Sequence, residues 1–187
     1  YMTTGTPQTV HMRLGVWFAR GTVVHLAETY TANEVQVVNG VALRPDAHGI
    51  VNRPNIPAHD ANYAVTGYLQ VPDDVTLYAL WPHMHYRGKS MTFTVIYPGG
   101  REETLLSVPR YDPNWQATYE LKEPKHIPAK SLIRADAVYD NSAANRHNPA
   151  PEQEVTGGPQ AFNEMFIPFL ELSVDKDDLR LQTLGGH

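Results

Sequence analysis

Cysteine is absent from this sequence of 187 residues. The absence excludes disulfide bonds and thiolate metal ligands, and it leaves the cellular compartment open. A bound metal ion would have to be held by histidine, methionine, carboxylate or backbone oxygen. The chain contains nine histidines and five methionines, so such a site is feasible.

An excess of positive charge is also absent. The sequence has 15 lysine and arginine residues against 20 aspartate and glutamate residues, which gives a formal net charge of -5. The basic residues are scattered rather than gathered into a stripe. Nucleic acid is therefore not expected as a partner.

Long apolar runs are missing, and no stretch approaches the ~20 residues of a membrane-spanning helix. We therefore expect no membrane-spanning segment. The chain begins at Tyr1 without a charged and then apolar leader. This start leads us to expect a mature or excised fragment.

Helical periodicity is nearly absent, whereas 15 prolines and 13 glycines are spread through the chain. Short segments of alternating apolar residues predict strands instead. The predicted strands cover residues 10–18, 22–31, 34–38, 41–43, 62–71, 75–80, 91–97, 104–108, 117–121, 131–139 and 162–174. Asn39-Gly40 and residues 98–101 predict hairpin turns, and residues 44–60 and 140–160 predict loops.

Residues 1–187 are predicted to form one domain, because the chain has no internal repeat and its amino-acid composition does not change from one part to another. Residues 1–9 are interpreted as a lead-in linker and residues 175–187 as a tail. Many short strands at near-regular spacing predict an all-β fold, an antiparallel β-sandwich of the jelly-roll type. The loop at 140–160 is long for a compact domain, and such loops are commonly functional or disordered.

The most informative stretch is residues 81–89, WPHMHYRGK. If the extended chain continues past Pro82, His83 and His85 point to one face and Met84 to the other. Two imidazoles on one face can reach a single metal ion, but imidazole suits copper, zinc, iron and nickel alike. The alternative is a chance pair of histidines on a half-exposed strand.

Three separated stretches together resemble a known family. They are PHMHYRGK at 82–89, YDPNWQ at 111–116, and DNS at 140–142 running on to GG at 157–158 and NEM at 163–165. In this order they resemble the C-terminal domain of the copper type II, ascorbate-dependent monooxygenases. That family includes peptidylglycine α-hydroxylating and dopamine β-monooxygenases, and its bacterial members are the nearer match. The resemblance covers nearly the whole chain.

The resemblance implies one copper ion held by His83, His85 and Met165, which are also the catalytic residues it assigns. Two imidazoles and a thioether favour Cu(I), and three ligands leave a position open for O2. Met165 could instead be a core methionine filling a gap. Met84 points away from the histidines, whereas a turn at Gly88 could fold Met91 back toward them.

The family's chemistry is insertion of one oxygen atom from O2 into a C–H bond of an organic substrate. A second copper in a preceding domain delivers electrons from ascorbate, and that domain is missing from this sequence. The missing domain or a cytochrome-type redox partner is therefore expected. Phe169 and Trp81 replace a tyrosine and an arginine that bind the peptide carboxylate, so a peptide ending in glycine is not the expected substrate. A periplasmic or secreted location in a bacterium is expected from the same resemblance.

The remaining candidates are weaker. Solvent-exposed or hydrogen-bonded roles are expected for the histidines without a partner at ligand spacing, namely His11, His25, His48, His59, His126 and His147. His187, in a Gly-Gly-His tail, is expected at a frayed end. Asp112, Trp115 and Gln116 are expected to be structural, with Trp115 buried. Turns, rather than a Ca2+ site, are expected at Asp140, Asn141, Asn145 and Asn148.

Two other classes of function stay open. The first is a jelly-roll module for binding, copper storage or assembly, with a retained or vestigial copper site. The second is a zinc or iron hydroxylase such as a cupin, which would need a carboxylate beside the histidine pair. Bound copper without turnover, even with an added partner domain, would favour the module.

Overall fold

The computed structural model describes residues 5–9, 11–38, 41–43 and 56–179. All ten regular elements in these ranges are strands: β1 (Glu28–Thr31), β2 (Val35–Val38), β3 (Val41–Leu43), β4 (Tyr63–Gln70), β5 (Val75–His83), β6 (Gly88–Ile96), β7 (Glu102–Val108), β8 (Tyr119–Ile127), β9 (Leu132–Tyr139) and β10 (Ile167–Val174). Over the same ranges, no helix has the length and apolar character needed to cross a membrane.

The strands form two antiparallel sheets packed against each other. One sheet has the order β1-β10-β5-β8, and the other has the order β3-β2-β4-β9-β6-β7. Four of the strand pairs are nested in sequence: β1 with β10, β4 with β9, β5 with β8, and β6 with β7. Nested pairs of this kind arise when a long antiparallel hairpin is wound around itself, as in a jelly roll. The predicted fold class is confirmed.

The core lies between the two sheets and follows from the alternation of each strand. In β9, Ile133, Ala135, Ala137 and Tyr139 are buried, while the residues between them are partly exposed. Phe93 of β6 is fully buried in the same core. Each large apolar side chain taken from water in this way contributes roughly 1.5–3 kcal/mol to stability.

Most of the predicted strands are present, with shifted ends. The hairpin around Asn39-Gly40 is supported by the pairing of Val38 with Val41, although its two turn residues lie outside the described ranges. The turn at 98–101 closes with a hydrogen bond from Tyr97 N to Arg101 O, and Gly99 and Gly100 have positive φ. The predicted loop at 44–60 lies mostly outside the described residues.

The prediction of a strand at 10–18 is wrong for the residues that are described, 11–18. These form no strand, and Met12, Trp17 and Phe18 are 89%, 89% and 87% exposed. An alternating pattern stabilises a strand only where a neighbouring strand accepts its hydrogen bonds and covers its apolar face. Among the residues that the structure describes, neither sheet supplies such a neighbour for 11–18. For the same reason, only Glu28–Thr31 of the predicted strand 22–31 is a strand.

Residues 140–160 contain no strand, as predicted, and several side chains form local turns. Asp140, Asn145 and Asn148 each accept a hydrogen bond from the backbone two residues later, which is the expected Asx-turn. Asn141 was predicted to do the same, and this is wrong. Asn141 is fully buried, and its amide instead donates to the backbone oxygens of Pro57 and Gln153.

Candidate metal centre

His83 is the last residue of β5, and His85 lies two residues beyond it on the same outward face. Their ring centroids are 5.2 Å apart, with an angle of 87° between the planes. Both histidines are partly exposed, whereas Met84 between them is fully buried. The prediction that the two histidines share a face, with Met84 opposite, is confirmed.

Met165 lies on the strand segment that approaches the histidines. β10 pairs with β5 so that Ile167 lies opposite His83 and Phe169 opposite Trp81. Beyond the end of this pairing, Glu164 and Asn163 contact His85 by hydrogen bonds, and Met165 follows them as a partly exposed residue. The fold therefore brings together the segments 83–85 and 163–165, which are some 80 residues apart in sequence.

Met91 does not share this face. It is fully buried in the core between the sheets, in the same apolar cluster as Met84. Because the histidines lie on the outward face of β5, the turn at Gly88 does not fold Met91 back toward them.

Both imidazoles are oriented by a hydrogen bond at Nδ1. Nδ1 of His83 lies 3.0 Å from Oε1 of Gln116, and Nδ1 of His85 lies 3.1 Å from the backbone oxygen of Asn163. A carbonyl oxygen accepts but does not donate, so each Nδ1 must carry the hydrogen. In the neutral ring Nε2 then holds the lone pair that a metal ion needs.

The orientation of the Gln116 amide is itself fixed. Its Nε2 donates to the backbone oxygens of Met84 and Pro113, both at 3.1 Å. Because Nε2 is used on these acceptors, Oε1 faces His83. The carbonyl group that sets the His83 tautomer is therefore held by the backbone of the neighbouring turn.

Glu164 joins the two segments through its buried carboxylate. Oε2 accepts from the backbone N of His85 at 2.9 Å, and Oε1 accepts from the backbone N of Arg87 at 2.7 Å. Burial raises the pKa of Glu164 to about 7, although the backbone hydrogen bonds and the Arg87 guanidinium act in the opposite direction. The side chain fixes the position of the His-x-His turn relative to Met165.

Arg87 connects this cluster to the long loop at 140–160. Its guanidinium is buried and donates to Oδ1 of Asn141 at 3.0 Å and to the backbone oxygen of Phe162 at 2.8 Å. Burial lowers the pKa of Arg87, and the nearby Glu164 partly offsets that effect. The loop is thereby anchored to the turn that carries the histidines.

Tyr111 also supports the turn that carries His83 and His85. Its hydroxyl donates to the backbone oxygen of Met84 at 2.6 Å and accepts from the Gln116 amide, also at 2.6 Å. Burial raises the pKa of Tyr111 to about 12. At Gly88, where the sequence predicts a turn, a side chain would force its neighbours to shift, because an added Cβ would lie 2.7 Å from the Tyr111 ring and 2.8 Å from Met84 Cβ.

An aromatic pair lies beside His83 on the outward face. The rings of Trp81 and Phe169 stack with centroids 4.7 Å apart, and the Trp81 ring lies 6.1 Å from the His83 ring. These are the two positions at which the family resemblance expected carboxylate-binding groups. Apolar rings now border the candidate site in their place.

The structure corrects one of the weaker expectations. Trp115 is 66% exposed rather than buried, so it is no core residue. Its neighbour Gln116 was expected to be structural, and the sequence offered no signal for its contact with His83. Glu164 was likewise missed, although a carboxylate between Asn163 and Met165 in an apolar stretch was an available hint.

The other histidines that the structure describes lie away from this centre. His11, His59 and His126 are exposed, and His25 and His147 are partly exposed. Three of them contact carboxylates or backbone: His59 with Glu152, His126 with Asp74 and Asp175, and His25 with the oxygen of Asp177. His48 and His187 lie outside the described residues.

The donor set fits a soft, low-valent metal ion better than a hard one. Over the described part of the chain, no three histidine, aspartate or glutamate side chains form a group suited to a metal. The carboxylate nearest the pair, Glu164, is directed at backbone N–H groups. The family resemblance implies Met165 as the third donor, and imidazole with thioether suits Cu(I).

Comparison with known proteins does not name a family. No family model matches the chain, and no curated protein matches it.

Proposed function

We propose that this chain is the O2-activating copper domain of a monooxygenase that hydroxylates a C–H bond. One observation carries the proposal: His83 and His85 share a face, and a carbonyl oxygen faces each Nδ1, so in the neutral ring the lone pair is on Nε2. Met165, on the paired segment, is the proposed third ligand. The resemblance of the ordered motifs to copper type II monooxygenases supplies the reaction type.

Each residue has a defined role in this proposal. His83, His85 and Met165 hold one copper ion, which would supply one-electron redox chemistry and a coordination position for O2. Gln116 and the Asn163 carbonyl keep the two imidazoles in the required tautomer. Glu164 holds the two ligand segments together.

The substrate side of the site is apolar. Trp81 and Phe169 present stacked rings beside His83 and offer no positive charge to a carboxylate. A small organic substrate is therefore favoured over a peptide that ends in a free carboxylate. A periplasmic or secreted location is part of the same proposal.

The reaction needs more electrons than one copper ion in this chain can supply. Inserting one oxygen atom of O2 into a C–H bond and reducing the other to water consumes two electrons from a donor. A single ion cycling between Cu(I) and Cu(II) supplies one. We therefore assign the second electron to a partner, either a second copper domain or a cytochrome, with ascorbate or another reductant behind it.

Copper binding followed by turnover tests the proposal. The 187-residue chain should bind one copper ion, and substitution of His83 or His85 by alanine should abolish that binding. With ascorbate and O2, the chain alone should show slow O2 consumption without coupled product. Product formation should appear when an electron-transfer partner is supplied.

Two results would contradict the proposal in different ways. Tight copper binding without product under any reductant or partner would favour a binding or assembly module. Preferential binding of Zn2+ or Fe2+ over Cu(I) would favour another class of site. Efficient, coupled product formation by the chain alone would overturn the argument from electron number.

A further inference from the structure

A cavity of about 260 Å³ lies between Arg87 and the long loop at 140–160. Loop residues between 149 and 156 line it, together with Phe162 and Asn163. The proposed copper ligands are not among its lining residues. The cavity is therefore distinct from the candidate metal centre.

The guanidinium of Arg87 is a buried positive charge without a carboxylate partner. The residue is 2% exposed. Among the described residues, the arginine side chains that form ion pairs are those of Arg101 and Arg134. Glu164, whose charge raises the pKa of Arg87, accepts a hydrogen bond from the backbone N of that residue and not from its guanidinium. Buried charges in proteins are usually paired, and a bound anion would supply the missing partner.

One nitrogen of this guanidinium is available to a ligand. Nε donates to Asn141 and Nη1 donates to the backbone oxygen of Phe162, whereas Nη2 has no acceptor among the described residues. The polar side-chain atoms there that lack a partner and are also sealed from solvent belong to Gln36 and Trp81. Nη2 is not one of these atoms, so it keeps accessible surface. Since Arg87 lines the cavity, a ligand in the cavity can reach Nη2.

The remaining walls suit a small molecule with an apolar body. Pro149, Val155 and Phe162 contribute apolar surface to the cavity. Phe162 is 61% exposed, although its backbone oxygen is held by Arg87. The volume is below the ~300–1,000 Å³ that is usual for pockets of drug-sized ligands. The ligand is therefore small.

The charges around the cavity favour a monoanion. One guanidinium compensates one negative charge, and no lysine and no second arginine is among the described residues that line the cavity. Glu154 also lines it, as an exposed residue. A doubly charged anion would meet this carboxylate with one of its own charges uncompensated.

We propose that this cavity binds a small organic monocarboxylate with an apolar body. The carboxylate accepts a hydrogen bond from Nη2 of Arg87, and the body packs against Pro149 and Phe162. This site goes beyond the proposed function, and its binding requires no copper.

The test is a titration of the metal-free, 15N-labelled chain with sodium benzoate at constant ionic strength, followed by the backbone amide signals in NMR spectra. The expected result is a saturable shift of the signals of Val155, Thr156 and Asn163, which line the cavity. Benzamide has nearly the same shape but no charge, so it should bind at least about tenfold more weakly, the usual scale of a charge-assisted hydrogen bond. Hydrogen phosphate carries more charge and no apolar body, so it should also bind more weakly than benzoate.

Variants separate the charge from the apolar contact. Arg87→Met should abolish the benzoate shifts. Phe162→Ala removes apolar surface but keeps the backbone oxygen that Arg87 uses, so it should weaken benzoate binding and leave acetate binding unchanged. Phe18→Ala, at a residue 87% exposed, is its matched control. Glu154→Gln removes a repelling charge and should strengthen benzoate binding, whereas Glu123→Gln, at another exposed position, should not.

Each contrary result overturns the proposal. Unshifted signals at high benzoate concentration would show that the cavity does not bind such molecules. Equal affinities for benzoate and benzamide would show that the charge of the carboxylate is not recognised, and tighter binding of hydrogen phosphate would exclude the monocarboxylate class. If Arg87→Met does not fold, the wild-type titrations and Phe162→Ala still decide. Because metal-free protein is used, a failure here leaves the copper proposal standing, and a failure to bind copper leaves this result interpretable.

Discussion

Nδ1 of His83 lies 3.0 Å from Oε1 of Gln116, although the two residues are 33 positions apart in the chain. β8 begins three residues after Gln116, and its pairing with β5 brings the segment leading into β8 alongside His83. A glutamine amide held by two backbone carbonyls is a rigid acceptor, so the tautomer of His83 is set before any metal binds.

Replacing Gln116 by methionine should therefore lower copper affinity. The variant keeps the side-chain length but removes the acceptor for His83 Nδ1, and loss of such an outer partner commonly costs about 10–100-fold in metal affinity. Competition titration with a Cu(I) chelator measures the effect. Gln70→Met, an exposed glutamine at the far end of β4, is the control. Equal affinities in both variants would show that Gln116 does not orient a ligand.

Replacing Met165 by isoleucine should weaken Cu(I) binding more than Cu(II) binding. The thioether is a soft donor, whereas the branched hydrocarbon has similar volume and no lone pair, so the fold should persist. Chelator competition gives the affinities, and thermal unfolding monitors the fold. Met12→Ile, at a residue 89% exposed, serves as the control. Unchanged Cu(I) affinity would make Met165 a packing residue and refute the ligand set.

Glu164 should make the stability of the metal-free chain fall as pH rises. Its pKa is about 7 in the folded chain against 4.5 in the unfolded one, so the folded state holds an extra proton between these values. Linkage then lowers the free energy of unfolding across that window, by up to about 3 kcal/mol. Below the unfolded pKa the contribution is fully present.

Urea unfolding at about pH 5 and about pH 8 tests this titration, because the slope of stability with pH reports proton uptake. Glu164→Gln keeps a carbonyl acceptor but cannot titrate, so its stability should change less between the two pH values. Glu123→Gln, at an exposed position, should retain the wild-type difference. If Glu164→Gln and wild type lose the same stability, another group carries the pH dependence.

Replacing Gly88 by alanine should destabilise the chain by about 1–3 kcal/mol, the usual cost of overpacking. The added Cβ would lie within 2.9 Å of Met84 and the Tyr111 ring, both part of the turn that carries the histidines. Gly21→Ala is the matched control, since nothing lies within 4 Å of its added Cβ. Equal denaturation midpoints for the two variants would mean that the turn accommodates the methyl group.

The sequence by itself determined the fold class and the face of the histidine pair. Both are local properties: alternating apolar residues predict strands, and two positions separated by one residue in an extended chain share a face. The exposed segment at 11–18 marks the limit of this reasoning. Its alternation is as regular as that of β4, but a strand needs a neighbour, and the pattern does not say whether one is present.

Only the tertiary structure decided what surrounds the histidines. Gln116 and Glu164 reach His83 and His85 through strand pairings that join residues 33 and 79 positions apart, and sequence spacing does not encode such pairings. The same holds for the stack of Trp81 on Phe169, which follows from the register of β5 with β10. A one-residue shift in that register would turn Phe169 to the other face. The registers therefore decide which polar groups orient the candidate ligands.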